Sequence, residues 1–202
     1  MLLGLTGGYC AGKNAVAEIL EKKGFLCFDL DKLGHEALEE REVVAALAGR
    51  FGAGILDSSG ALDRRALGAI VFEDPEALAW EEGIVHPAVY RLLRPPMEAA
   101  LGERRDVCLN AALLYRMPEA KRCDAIIEVA APLYMRVIRG CARDDLGLRA
   151  VLARIWRQRS FWKKRNRLGV PVMRLANSGR REELESAMER TLAQIQLRIS
   201  AR

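Results

Sequence analysis

Short apolar runs alternate with longer amphipathic stretches along this chain. Met1–Thr6 is apolar and ends against Gly7-Gly8, the pattern of a buried strand running into a loop. From Lys13 to Lys23 the residues Val16, Ile19 and Leu20 recur at helical spacing, and Gly24 stands where a helix stops. Phe25–Phe28 is a second short apolar strand, ending at Asp29-Leu30-Asp31. Strand, glycine loop, helix and strand within about 30 residues make a βαβ unit, and such units build parallel sheets.

Between 32 and 104 the strand pattern disappears. Leu33, Ala37 and Leu38 begin a helical pattern that Val43, Val44, Leu47 and Phe51 continue, and Gly52 to Gly60 reads as a loop. Leu62–Phe72 and Pro75–Ile84 are predicted helices, with Pro75 suited to a first turn. Pro87 is expected to open another helical stretch, and Pro95-Pro96 to break or restart it. Asp106–Leu114 and Ala125–Ala130 read as a third and a fourth strand. Pro132–Arg143 reads as a helix, Val170–Leu175 as a last strand and Arg180–Ile199 as a terminal helix. The alternation predicts a three-layer α/β fold with a mainly parallel sheet of about five strands, interrupted by a helical insertion.

The 202 residues are 50% hydrophobic and 29% charged, a globular composition that argues against disorder. No apolar run approaches the roughly 18 residues of a membrane span. The first residues carry no basic segment, which argues against a signal peptide. Five scattered cysteines without a C-x-x-C pair speak against a disulfide framework or a zinc knuckle and for a reducing, cytoplasmic setting. With only His35 and His86, a histidine-rich metal site is excluded. The net charge of +5 is uneven: residues 136–167 hold eleven Lys/Arg against two acids, leaving 21 bases and 25 acids elsewhere. A basic island on a slightly acidic body suits an anionic partner, phosphate or nucleic acid, or else a solvated face.

The chemistry concentrates in Gly7-Gly8-Tyr9-Cys10-Ala11-Gly12-Lys13-Asn14, a G-x-x-x-x-G-K run between a predicted strand and a predicted helix. Glycines let the backbone turn tightly so that several N–H groups point inward at phosphate oxygens. The helix beginning near Lys13 adds its positive end, and Lys13 is expected to meet the β- and γ-phosphates. The next position normally carries a Mg²⁺-binding hydroxyl. Here it is Asn14, whose carboxamide oxygen is a longer and differently oriented ligand.

Over nearly its whole length the chain resembles the dephospho-CoA kinase family. The motifs are Gly4-Leu5-Thr6-Gly7-Gly8 with Gly12-Lys13, and Asp29-Leu30-Asp31. They continue with Ser59-Gly60-Ala61-Leu62-Asp63-Arg64-Arg65-Ala66-Leu67 followed by Phe72 and Pro75, then His86-Pro87, Arg139 with Arg143-Asp144, Gln158, and Asn177-Ser178-Gly179. It departs from the family at Asn14, and at Ala112-Leu113-Leu114-Tyr115-Arg116, where the family has a proline and an acid. The resemblance implies a P-loop kinase that transfers phosphate from ATP, with Mg²⁺, to the ribose 3′-hydroxyl of dephospho-CoA, the last step of coenzyme A synthesis. It implies a nucleotide-binding core at 1–31, 105–135 and 168–202, an acceptor-binding region at 32–104, and a basic lid at 136–167.

The resemblance further implies that Asp31, Lys13 and Arg139 carry the transfer. Asp31 would act as base or hydroxyl orienter, although a helix N-cap is an equally ordinary task for it. ATP would meet Gly8, Tyr9, Cys10, Ala11, Gly12, Lys13, Asn14, Ala15, Arg143 and Asn177. Asn14 is the metal candidate, and Asp31, His35, Arg64 and His86 face the acceptor. Arg139 and Arg143, four apart, share a helix face, where their forks can hold phosphate oxygens. Two other classes stand beside this one. A degenerate scaffold would bind nucleotide without turnover, as Asn14 and Arg116 suggest. A nucleic-acid binder would use Trp156, Phe161 and Trp162 among the bases, although aromatics at helical spacing more often pack a core or lid. No recognised nucleic-acid motif supports that alternative, and no membrane partner is expected.

Overall fold

The computed structural model describes residues 1–144, 147–158 and 168–201. The chain divides into two compact units, Met1–Asp29 with Ala100–Arg202, and Leu30–Ala99. Five strands, β1 (Leu2–Gly7), β2 (Leu26–Asp29), β3 (Val107–Asn110), β4 (Ala125–Ala130) and β5 (Val172–Ala176), pair in parallel in the order β2-β3-β1-β4-β5. The helices are α1 (Lys13–Lys22), α2 (Leu30–Ala37), α3 (Arg41–Phe51), α4 (Arg64–Glu73), α5 (Pro75–Gly102), α6 (Leu133–Asp144), α7 (Leu148–Arg157) and α8 (Arg181–Ser200). This is the α/β architecture that the strand and helix alternation predicts.

A strand covered on both faces has no polar side to show, and β1 is buried at every position. Its neighbours β3 and β4 belong to opposite halves of the sheet. In sheets of this kind a ligand crevice opens beyond the carboxyl end of such a strand. α1 and α8 pack together and against the sheet. Leu3, Leu5, Leu20, Ile127, Met188 and Ile195 form part of the buried cluster there. The in-register pairs Leu3↔Cys108 and Leu5↔Asn110 put Cys108 and Asn110 on the α1 side of β3, and Asp29↔Asn110 puts Asp29 beside them.

Several predicted boundaries shift by one or two residues; two shifts have a clear physical cause. The apolar run Asp106–Leu114 is strand only to Asn110. Leu114 and Tyr115 then enter a short 3₁₀ turn, both buried, that packs against β1. The run is apolar because it supplies a strand and then a plug beneath the sheet. The other shift is in α5, one continuous helix of 28 residues with Pro87, Pro95 and Pro96 inside it, where the prolines predicted breaks. Each interior proline removes a helical hydrogen bond and costs about 3 kcal/mol. Val85, Val89, Leu93 and Met97 are all buried at four-residue spacing, and each such side chain returns about 1.5–3 kcal/mol. Tertiary burial outweighs local propensity along this helix.

In the second unit the chain turns at Asp57, whose Oδ1 accepts from Ser59 N at 2.8 Å and Ala61 N at 3.1 Å. Leu56 and Leu62 form an antiparallel bridge across that turn. Asp63 then caps α4, accepting from Arg65 N at 2.8 Å and Ala66 N at 3.1 Å. Asp63→Ala leaves both amides uncapped and is expected to lower stability by about 1 kcal/mol. Urea denaturation measures the loss; Asp63→Asn, which keeps an acceptor, restores most of it.

Candidate active site

β1 delivers the chain to the carboxyl edge of the sheet, and the next five residues turn back into α1. Ala11 N donates to Gly8 O at 2.8 Å, closing the turn. Two residues lie in the left-handed region: Cys10 at φ 56° and Gly12 at φ 94°. Gly12 fits that region without cost, whereas Cys10 places a Cβ where an L-residue is strained. A Cβ on Gly12 would also run into Asn177 Nδ2. Gly12 stands at the N-cap of α1 and has no side chain to cap it. The first turn of the helix, Lys13, Asn14 and Ala15, therefore presents its positive end at the loop. Asn14 is exposed there.

Side chains from distant elements grip the outer side of this loop. Asn177, just past β5, donates from Nδ2 to Ala11 O at 2.9 Å, while its own N donates to Ala130 O at 2.7 Å. Arg139 reaches Ala11 O and Asn177 O from Nη1, each at 3.5 Å, the outer limit of a hydrogen bond, so these carbonyls hold its fork loosely. Arg136 Nε donates to Tyr9 O at 2.8 Å, and its guanidinium lies so close to Gly8 that a Cβ there would sit 2.7 Å from Nη2. Tyr9 N donates to Gln158 Oε1, and the Tyr9 hydroxyl to Asp144 Oδ2.

Asp144 gathers the basic side chains around it. Arg143 donates from Nε at 2.6 Å and Nη2 at 3.0 Å, and Arg154 Nη1 donates at 2.9 Å. Both guanidiniums also lie over the Tyr9 ring, 5.1 Å and 5.7 Å from its centroid. The Arg143 hydrogen bonds, then the Tyr9 hydroxyl, hold the Asp144 carboxyl well below the usual carboxylate range. Burial pushes the Cys10 thiol up, with Arg143 pulling the other way, so the loop cysteine remains a neutral thiol at pH 7.

The remaining predicted residues belong to the helical unit. Asp31 lies in the first turn of α2 and is exposed, as is His35. Arg64 Nη2 donates to His35 O at 3.2 Å and Glu39 Oε1 at 2.8 Å, which ties α4 to the end of α2. A cavity of about 650 Å³ opens beside this tie, lined by Leu38, Val44, Leu56 and Leu62 with Arg41 and Arg64. His86 is half-buried on α5, its ring 6.0 Å from that of Tyr90. Phe161 and Trp162, with Arg159 and the bases at 163–167, lie outside the described residues.

Some residues at the site carry no sequence signal that singles them out. Arg136 and Arg154 were legible only as members of the basic segment, and Asp144 only beside Arg143 in a motif; the fold gathers them around Tyr9, with Arg154 also bonding Asp144 directly. Asn110 is 3% exposed at the carboxyl end of β3, and its Oδ1 has no hydrogen-bond partner among the described residues. Glu128 is a buried carboxylate on β4 that accepts from the Tyr115 hydroxyl at 2.9 Å. A lone polar residue in an apolar run was the available clue to both.

Known proteins resemble this chain in sequence and fold. A family profile described as dephospho-CoA kinase matches residues 1–183. The dephospho-CoA kinase of Thermus thermophilus is 37% identical over 195 residues, covering 96% of this chain and 92% of that protein. A crystal structure from Thermus thermophilus superposes with a TM-score of 0.80 at 38% identity, covering 96% of this chain and 97% of that one. Shikimate kinase from Acinetobacter baumannii, 15% identical with a TM-score of 0.52 over 96% and 93% of the two chains, shares the fold.

Because the Asp144 carboxyl is depressed in the folded state, its ion cluster stabilises the protein above the ordinary value of 3.8 and loses that contribution as the pH falls through the depressed one. The unfolding free energies of the parent and Asp144→Asn are therefore expected to differ at pH 7 and to converge in strong acid. Denaturant titrations at both ends of the range check this; a gap that persists unchanged contradicts it.

Proposed function

The chain belongs to the dephospho-CoA kinase family, and we propose that it transfers the γ-phosphoryl group of ATP to the ribose 3′-hydroxyl of dephospho-CoA, giving CoA and ADP. The observation that carries this reading is the loop: a left-handed Gly12 hands the chain to a helix opening at Lys13, above the carboxyl edge of a parallel sheet. Such a cradle suits a polyphosphate through main-chain amides and a helix end.

In this reading Lys13 sits against the β- and γ-phosphates and Arg139 steadies charge on the transferring group. Arg143 and Asn177 line the nucleotide side with Gly8, Tyr9, Cys10, Ala11, Gly12, Asn14 and Ala15. Asp31 orients the acceptor hydroxyl and takes its proton as the new O–P bond forms and the bond to the β-phosphate oxygen breaks. His35, Arg64 and His86 serve the acceptor. Phosphoryl transfer asks mainly for positioning and charge stabilisation, which loop amides and arginine forks supply.

The residues present fit a magnesium ion that arrives with the nucleotide. Asn14 offers an exposed carboxamide oxygen at the loop, and no cluster of three or more His, Cys, Asp or Glu forms a resident cage among the described residues. When bound there, the ion would supply positive charge that offsets the phosphates. Asn14 would hold it. A cytoplasmic setting belongs to the same reading, supported by five free cysteines and by the lack of any membrane-crossing helix among the described residues.

A coupled assay with ATP, Mg²⁺ and dephospho-CoA, beside adenosine and nucleoside monophosphates as acceptors, tests the reading. Dephospho-CoA is expected to be phosphorylated preferentially. Lys13→Ala is expected to lose about a hundredfold or more in turnover while the chain stays folded. Arg139→Ala is expected to lower kcat more than it raises the KM for ATP. ATP binding without turnover would favour the degenerate-scaffold alternative, and a wild-type rate in Lys13→Ala would contradict the loop assignment.

A further inference from the structure

We propose that Tyr9 is the seat of the lid, a positioning residue that both lid helices grip and through which Arg139 is held at the phosphate loop. In a phosphate loop a side chain at this position has no evident duty, since the main chain does the binding. Here every polar group of the residue is engaged by the segment from 136 to 158. Its carbonyl accepts from Arg136, its amide donates to Gln158, and its hydroxyl donates to Asp144.

The geometry is that of a peg in two walls. On α6, residues 136, 140 and 144 follow one another at four-residue spacing and form one stripe. Arg136 takes the carbonyl and Asp144 the hydroxyl. Between them Gly140 lets the helix backbone lie on the ring: a Cβ at Gly140 would sit 2.9 Å from Tyr9 Cε1 and 2.9 Å from Val151 Cγ1 of α7. On α7, Arg154 and, just past the helix, Gln158 form a second four-residue pair. Arg154 lies over the ring and bonds Asp144, and Gln158 takes the amide. The two helices meet at Gly140 and share one aromatic side chain of the loop.

Arg139 lies on α6 beside this stripe, three residues past Arg136, and reaches Ala11 O. An unsupported arginine must surrender its rotamer freedom each time it meets a phosphate. A helix already seated on the loop spares most of that loss and holds the fork within reach of the transferring group. The part of the proposal that concerns turnover rests on the kinase reading above; the seat itself does not.

Two measurements on the full chain test it. The first is amide hydrogen exchange of the nucleotide-free protein, parent against Tyr9→Ala and Tyr9→Phe. Exchange across 133–144 and 148–158 is expected to quicken about tenfold in Tyr9→Ala, and less in Tyr9→Phe, with α8 and the sheet unchanged. Unchanged exchange in the lid helices overturns the proposal. If Tyr9→Ala loosens the whole chain, Tyr9→Phe, which loses only the hydroxyl, decides the matter by whether quickening is confined to the lid.

The second measurement is steady-state kinetics. Tyr9→Phe is expected to lower kcat about fivefold with less than a twofold change in the KM for ATP, the split a positioning role produces. Tyr9→Phe added to Asp144→Asn is expected to cost little more than Asp144→Asn alone, because the Tyr9–Asp144 contact is already weakened there. Tyr134→Ala, an exposed aromatic on the same helix, serves as the control at the parent rate. A parent-like kcat in Tyr9→Ala, or additive losses in the double variant, overturns the positioning role. A parent protein that leaves dephospho-CoA unphosphorylated overturns the kinase reading instead, and the exchange measurement still decides the seat.

Discussion

A loop that turns from a strand into a helix leaves backbone carbonyls outside both hydrogen-bond ladders, and those carbonyls need donors. That constraint governs this molecule. Tyr9 O finds Arg136 and Ala11 O finds Asn177, so the loop is fastened from behind by side chains more than a hundred residues away in sequence. The local turn, Ala11 N to Gly8 O, shapes the bend but cannot supply those donors. The sheet, with β1 at its centre and β4 and β5 to one side, brings Arg136 and Asn177 to the edge where the loop emerges.

The distribution of charge follows from the same need. Phosphate binding asks for concentrated positive charge, and concentrated positive charge repels itself in a protein without ligand. Asp144 is the structure's answer, drawing Arg143 and Arg154 onto one carboxylate beside the Tyr9 ring. The family acid absent at Arg116 has a buried neighbour in kind, Glu128, bonded to the adjacent Tyr115.

The strand, loop and helix from Leu2 to Lys22 were legible because strand burial, glycine turns and helical periodicity are local signals that agree there. The parallel sheet followed from the alternation of short apolar runs with helices. The continuity of α5 was not legible, since proline is a local signal and the burial that overrides it is tertiary. The end of β3 was hidden for a related reason: Leu114 and Tyr115 are apolar as plug residues, and hydrophobicity alone does not separate a plug from a strand. At the site, Lys13 and Gly12 were readable from spacing. Tyr9 was readable as a loop residue expected to meet ATP but not as the partner of Arg136 and Gln158, which lie 127 and 149 residues further along and owe their meeting to the fold.

The clasp from Asn177 to Ala11 has a bearing on how the protein is born. The two residues are 166 positions apart, with the cradle at the start of the chain and its fastener near the end. A ribosome makes them in that order, so the loop stays unfastened until the last strand, β5, has been made. The fastened form of the loop is thereby a product of contacts that become available only late in synthesis.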